Sequence, residues 1–253
     1  MTDISSPDRR GTALLGGLLA LGLIIGGWIL GAEIKATRLA DRYVTVRGLA
    51  ERNVKSDLAI WSLGYTEPGD DLSLLFSKTD DDRKMILQFL SQQGIQSSEI
   101  ELSVVRVVNT QANQFGGVNR APHRYIVQQN ITVRTPRVDQ VAAASQKTLQ
   151  LLQEGVALTS NPGQGLAYKF TGLNTIKPDM ITEATRNARE AADRFAADSG
   201  SKVGSIRQAN QGIFTILAAN AGSDADQGGA INPDSSVMKT VRVVTSTQYY
   251  LDK

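Results

Sequence analysis

The one histidine of the chain, His123, lies beside Arg120 and Arg124 in a polar stretch, a grouping that would suit a general base or an anion site. With no cysteine and no second histidine, a thiolate nucleophile or multi-histidine metal centre is excluded, and any triad would rest on His123 alone. A solvated loop histidine is the expected role. Glu51, Asp57, Asp70 and Asp71 are the candidates for a hydrolytic carboxylate pair, a chemistry that needs two carboxyl groups held a few ångströms apart. Nothing in their spacing fixes such a separation, and turn and surface roles are expected. Asp80, Asp81 and Asp82 fan across about 200° of a helix, so they cannot all face one cation and are expected on a solvated face. Gly163-Gln-Gly165 begins like a dinucleotide fingerprint, but Tyr168 stands at the third glycine position. No catalytic residue, cofactor or metal site is expected, and the chain reads as non-enzymatic.

The remaining composition is that of an ordinary folded chain. Of 253 residues 41% are apolar and 21% charged, and 27 Lys and Arg against 25 Asp and Glu leave a net charge of +2. That is too small to indicate a nucleic acid partner.

Residues 11–32 carry no charged side chain, and Thr12 is the one conventional polar residue among them. At about 1.5 Å per residue a helix over this run spans roughly 33 Å, enough for a hydrocarbon core of about 30 Å. A cleaved signal peptide has an apolar region of about 7–15 residues, so an uncleaved signal anchor is the reading preferred over cleavage after Ala32 or Ala36. The chain then divides into a short cytoplasmic tail (1–10), a transmembrane anchor (11–32), a linker (33–41) and a folded domain (42–253). Trp28 suits the interfacial belt. Gly22, Gly26, Gly27 and Gly31 form small-xxx-small pairs that would let two such helices approach closely. Orientation stays open at this point: Lys35, Arg38 and Arg42 outnumber Arg9 and Arg10, yet long domains translocate largely regardless of charge.

Beyond the anchor, hydrophobic periodicity places the elements. Residues 43–49 alternate as a strand that ends at a bend or bulge at Gly48; after a turn over 50–57, Ala59, Trp61, Leu63 and Tyr65 share one face of a second strand, completing a hairpin. Leu72, Leu75, Phe76, Thr79, Arg83, Ile86, Leu87 and Leu90 follow helical spacing up to Gly94. Strands are predicted over 100–109 and 125–135, joined by a long hairpin tip bearing Phe115. A helix follows over 138–152, a short strand over 166–173, and an alanine-rich helix that Pro178 opens and Gly200 ends. Two strands, 205–217 and 239–251, flank a Gly/Asn/Asp-rich loop at 219–234. The order, ββαββ then αβαββ, is that of an α+β fold with mixed or antiparallel sheets covered by helices.

Arg120, Arg124, Arg134 and Arg137 lie along the central hairpin without the interleaved aromatics of a nucleic-acid-stacking surface. With Phe115 they are the expected assembly or partner surface, the arginines pairing with acidic faces of neighbouring subunits.

Val44-x-Val46-x-Gly48-x-Ala50, with Val54 and Asp57-x-Ala59 after it, resembles the opening strand pair of the SIMPL-domain proteins. Glu183-Ala184-xxx-Ala188-xx-Ala191-Ala192-xx-Phe195-Ala196, then Gly200 and Val203-Gly204, resembles the family's alanine-rich helix and its exit. The resemblance implies a bacterial protein whose SIMPL-like domain is periplasmic or otherwise extracytoplasmic. It also implies homo-oligomers of ring-like or channel-like form, and a link to envelope or oxidative stress. With the anchor, the expected place is the inner membrane, spanned once, with the bilayer and further copies of the chain as partners. The alternatives are a signalling or scaffolding adaptor that docks another envelope protein through the 110–124 or 219–234 loop, and a carboxylate-based hydrolase or small-molecule binder.

Overall fold

The structure, a computed structural model, describes residues 19–28, 42–112, 122–159, 165–219 and 232–252. In chain order the elements are α1 (19–28), β1 (Tyr43–Lys55), β2 (Leu58–Gly69), α2 (Leu72–Gln92), β3 (Ile100–Leu102), β4 (Arg106–Asn109) and β5 (Tyr125–Thr135). They continue with α3 (Val138–Ser145), α4 (Leu149–Gln153), β6 (Leu158–Thr159), β7 (Leu166–Lys169), α5 (Leu173–Asp198), β8 (Lys202–Gln211), β9 (Thr215–Ala218) and β10 (Met238–Asp252). The strand pairings β2 and β5–β10 make among themselves, and those of β3 and β4 to β5, are antiparallel. The α+β class and the helix-covered antiparallel sheets therefore stand. The chain forms two units, Ala50–Ile181 with Ile213–Val243, and Met1–Leu49 with Thr182–Gly212 and Val244–Lys253; β1, α5 and β10 contribute a part to each.

In the larger unit, β2 runs down the middle of a sheet ordered β3-β5-β2-β6, with β4 also paired to β5 and β7 to β2. The alternation of β2 buries Ala59, Trp61, Leu63 and Tyr65 against Ile86, Phe89 and Leu90 of α2 and Val138 and Val141 of α3. Trp61 meets Phe89 edge to face, with centroids 6.5 Å apart and planes at 71°. Each large side chain so buried contributes about 1.5–3 kcal/mol. Asp71 starts α2 by accepting hydrogen bonds from the backbone N–H groups of Ser73 and Leu74 at 2.8 and 3.2 Å, and Gly94 at φ 78° ends it.

In the smaller unit, α5 lies on β1 and β10 through a column of alanines. Ala184, Ala188, Ala192 and Ala196 are buried, together with Val46 and Tyr249. Phe195 of the same helix stands outside this column, 61% exposed.

Several sequence-based boundaries are corrected. Gly48 is no bend: β1 continues to Lys55, because residues 50–55 keep the two-residue alternation, and only Ser56 and Asp57 turn the chain. The expected β1–β2 hairpin does not form. β1 pairs with β10, while β2 pairs with β5, β6 and β7. The corner between them is held by distant segments: Ser56 N–H bonds to the carbonyl of Val237 at 2.9 Å and Asp57 N–H to that of Lys169 at 3.0 Å. The Asp57 carboxylate accepts from Thr171 N–H, Thr171 Oγ1 and Gly172 N–H at 2.8–3.0 Å, which starts α5 at Leu173 and leaves Pro178 inside the helix. The 100–109 strand splits at Ser103–Val105, the 138–152 helix at 146–148, and the 205–217 strand at Gly212, where a β-carbon would stand 2.5 Å from the Val244 carbonyl oxygen.

The transmembrane helix is not supported by the described residues. Among them no helix is long and apolar enough to cross a membrane. The α1 helix covers 19–28, about 15 Å at 1.5 Å per residue, and the rest of the 11–32 run lies outside the described residues. Leu19, Leu21, Leu23, Ile24, Ile25 and Trp28 are exposed on it, and a β-carbon on Gly22, Gly26 or Gly27 would meet open space; Gly31 lies outside the described residues.

Candidate functional site

The four acids weighed for hydrolysis each have a separate structural partner. Asp57 caps α5 and Asp71 caps α2. Glu51 accepts from Arg242 Nε at 2.6 Å. Asp70 accepts the Arg124 N–H at 2.8 Å and stands 3.6 Å from His123 Nδ1. That backbone bond first, and His123 after it, hold the Asp70 carboxyl below its ordinary range.

Of the expected assembly residues, Phe115 and Arg120 lie outside the described residues, as do the tips of both loops expected to dock a partner. Arg124 directly precedes β5, its guanidinium 5.1 Å from the Tyr125 ring centre, and Arg134 is exposed ten residues further on, about 33 Å along an extended chain. Arg137 is half-buried: it pairs with Glu99 and donates to the Gly94 carbonyl at 3.1 Å. These three arginines do not form one patch.

A buried charged cluster escaped the sequence reading. Glu67 on β2 and Asp82 on α2 are each only 2% exposed, and Lys78 pairs with Glu67. Asp82 was expected among three solvated aspartates, of which Asp80 and Asp81 do pair with surface bases. Its position three residues after Thr79 and four before Ile86 places it instead in the buried stripe. Glu67 likewise keeps the alternation of Trp61, Leu63 and Tyr65. Burial first, and then the neighbouring Glu67 carboxyl, raise Asp82 to about 6. Its Oδ2 is buried without a hydrogen-bond partner. The Lys78 ammonium is held above its usual range by its bond to Glu67.

A separate pair of polar bonds runs from β2 to the sheet edge. Tyr65 Oη donates to Gln129 Oε1 at 2.5 Å, and Gln129 Nε2 donates to the Ser103 carbonyl at 3.0 Å. Burial raises the Tyr65 hydroxyl well above its ordinary range. Ser103 and Arg106 border a cleft of about 470 Å³ that Gln128, Asn130 and Thr159 also line, a set of amides and hydroxyls able to exchange hydrogen bonds.

The edge itself is built from β3 and β4, each paired among the described residues to β5 alone. The register steps by one residue between them: Leu102 faces Ile131, but Arg106 faces Gln128. The extra residue makes a bulge at Ser103–Val105. Leu102, Val105, Val107 and Val108 are more than a third exposed and Val104 is 91% exposed. An edge of this kind presents main-chain groups and apolar side chains for pairing with another strand.

Two antiparallel sheets backed by helices, with structural carboxylates and an apolar strand edge, define an α+β protein. The family model SIMPL, a protein of unknown function (DUF541), matches residues 44–248. The chain belongs to the SIMPL family. A search of curated proteins finds no match.

Proposed function

We propose that this chain is a non-enzymatic, single-pass protein of the bacterial inner membrane, whose SIMPL domain lies outside the cytoplasm and assembles with further copies of itself. The observation that carries self-assembly is the exposed apolar edge over β3 and β4. Anchoring through residues 11–32 rests on their uncharged run, and it would hold many copies in one plane, where each contact gains from the raised local concentration. A non-catalytic role is supported by the separate structural bonds of Glu51, Asp57, Asp70 and Asp71. Family resemblance adds a ring-like form and a part in the response to envelope or oxidative stress.

The reading is tested on the full chain in its membrane. Alkaline carbonate should leave it in the pellet, and protease added outside the inner membrane should degrade the domain. Release by carbonate, or protection of the domain in spheroplasts, overturns the anchored, extracytoplasmic part. Light scattering of the detergent-extracted protein tests assembly, and a monomer at every concentration overturns that part.

A further inference from the structure

Glu101 and Arg106 are opposite charges on the open edge, and neither has an ion-pair partner among the described residues of its own chain. Glu101 faces Thr132 of β5 and Arg106 faces Gln128. Those two positions lie on one sheet face, two residues either side of Asn130, so the acid and the base are about 13 Å apart at 3.3 Å per residue and cannot meet within one chain. Asn130 is itself the partner of Ser103, whose N–H bonds to the Asn130 carbonyl at 2.9 Å while Ser103 Oγ accepts from Asn130 N–H at 2.9 Å. The bulge thus places Glu101 and Arg106 symmetrically about Ser103.

Resting on the self-assembly reading, we infer that two copies of this chain pair β3–β4 edge to edge, antiparallel, about a two-fold axis at Ser103, with Glu101 of each opposite Arg106 of the other. A two-fold interface is isologous, so it needs a surface complementary to itself. This edge meets that need twice over, through two symmetric Glu–Arg pairs on one face and through apolar residues on the other. About the same axis Leu102 stands opposite Val105, and Ile100 opposite Val107. These side chains continue the buried face formed by Ile131, Val133 and Val127 of β5. A bulge discourages indefinite strand addition. Here it leaves one register in which charge and apolar faces both match.

Ser103 directs its own N–H and C=O toward β5 and its glutamine, so across the axis two copies of Ser103 form a pair without mutual hydrogen bonds, about 4.5 Å between Cα atoms. That lies within the range of a disulfide, about 4.4–6.8 Å. The chain has no cysteine of its own.

The test is a charge-reversal cycle on the full-length protein in detergent, read by sedimentation or light scattering, with thermal unfolding and circular dichroism as the check on folding. Glu101→Arg and Arg106→Glu should each weaken association about tenfold or more, and the double reversal should restore it to within about threefold. Ser103→Cys should give a disulfide-linked dimer on mild oxidation. Singles that associate like wild type, or a double that fails to recover, overturn this interface while leaving self-assembly through another surface intact. A wild-type protein that is monomeric at every concentration removes the self-assembly reading and this interface together. Should Ser103→Cys misfold, the charge cycle decides alone.

Discussion

Gly48 of β1 lies so close to α5 that a β-carbon built on it would stand 1.8 Å from the carbonyl oxygen of Ala184 and 2.6 Å from the amide nitrogen of Ala188. Both neighbours are backbone, so neither can swing aside. The glycine is there for helix-to-strand contact, and the buried alanines of α5 are small for the same reason.

Gly48→Ala should therefore destabilise the protein by about 3 kcal/mol, because the helix must move off the strand. Urea unfolding of the variant should show a lower midpoint. Wild-type stability would mean that α5 does not approach β1 this closely.

Asp82 makes stability depend on pH in a direction opposite to that of most surface carboxylates. A folded-state pKa raised to about 6 means that its favourable contribution is complete below the unfolded value near 4 and is lost as pH rises through 6. Asp82→Asn should be more stable than wild type at pH 7.5, by at most about 3 kcal/mol, and that advantage should shrink toward zero at pH 4.5. Paired denaturation curves at the two pH values measure it. An advantage that is equal at both would show that Asp82 does not titrate between them.

Asp57→Ala removes three hydrogen bonds at the start of α5 and should lower stability by about 2 kcal/mol, with Asp57→Asn keeping part of it. The reading gives Asp57 no chemical part. A loss of any ligand-induced thermal shift in Asp57→Asn, with folding intact, would revive a binding or hydrolytic role.

Arg137→Ala should lower the thermal midpoint and leave assembly unchanged, since it strips Glu99 of a partner where that carboxylate is 15% exposed. A cost of about 1–3 kcal/mol is expected. If assembly falls instead while stability holds, Arg137 belongs to a partner surface, as the sequence alone had suggested.

Much of the larger unit was readable because its signals are local. The alternation of Trp61, Leu63 and Tyr65, the helical spacing from Leu75 to Leu90 and the stop at Gly94 each need only a few neighbouring residues. Partner choice was not readable in this way. The Ser56–Asp57 corner resembles a hairpin turn, yet its bonds go to Val237, Lys169, Thr171 and Gly172, and no local pattern contains those residues. Glu67 and Asp82 were missed for a different reason. Both obey the periodicity of their elements, yet a charged side chain ordinarily stays in water; here Lys78 pairs with Glu67, and burial beside Glu67 raises Asp82 so that it is more readily neutral. Residues 100–109 were legible as a strand but not as an open edge; the bulge there, and with it the symmetry of Glu101 and Arg106, required the register against β5.

Self-assembly is the central claim, and electron microscopy of the detergent-extracted full-length protein tests it most directly. The account predicts particles of two or more copies, uniform in size. A field of single-chain particles at every concentration would contradict it.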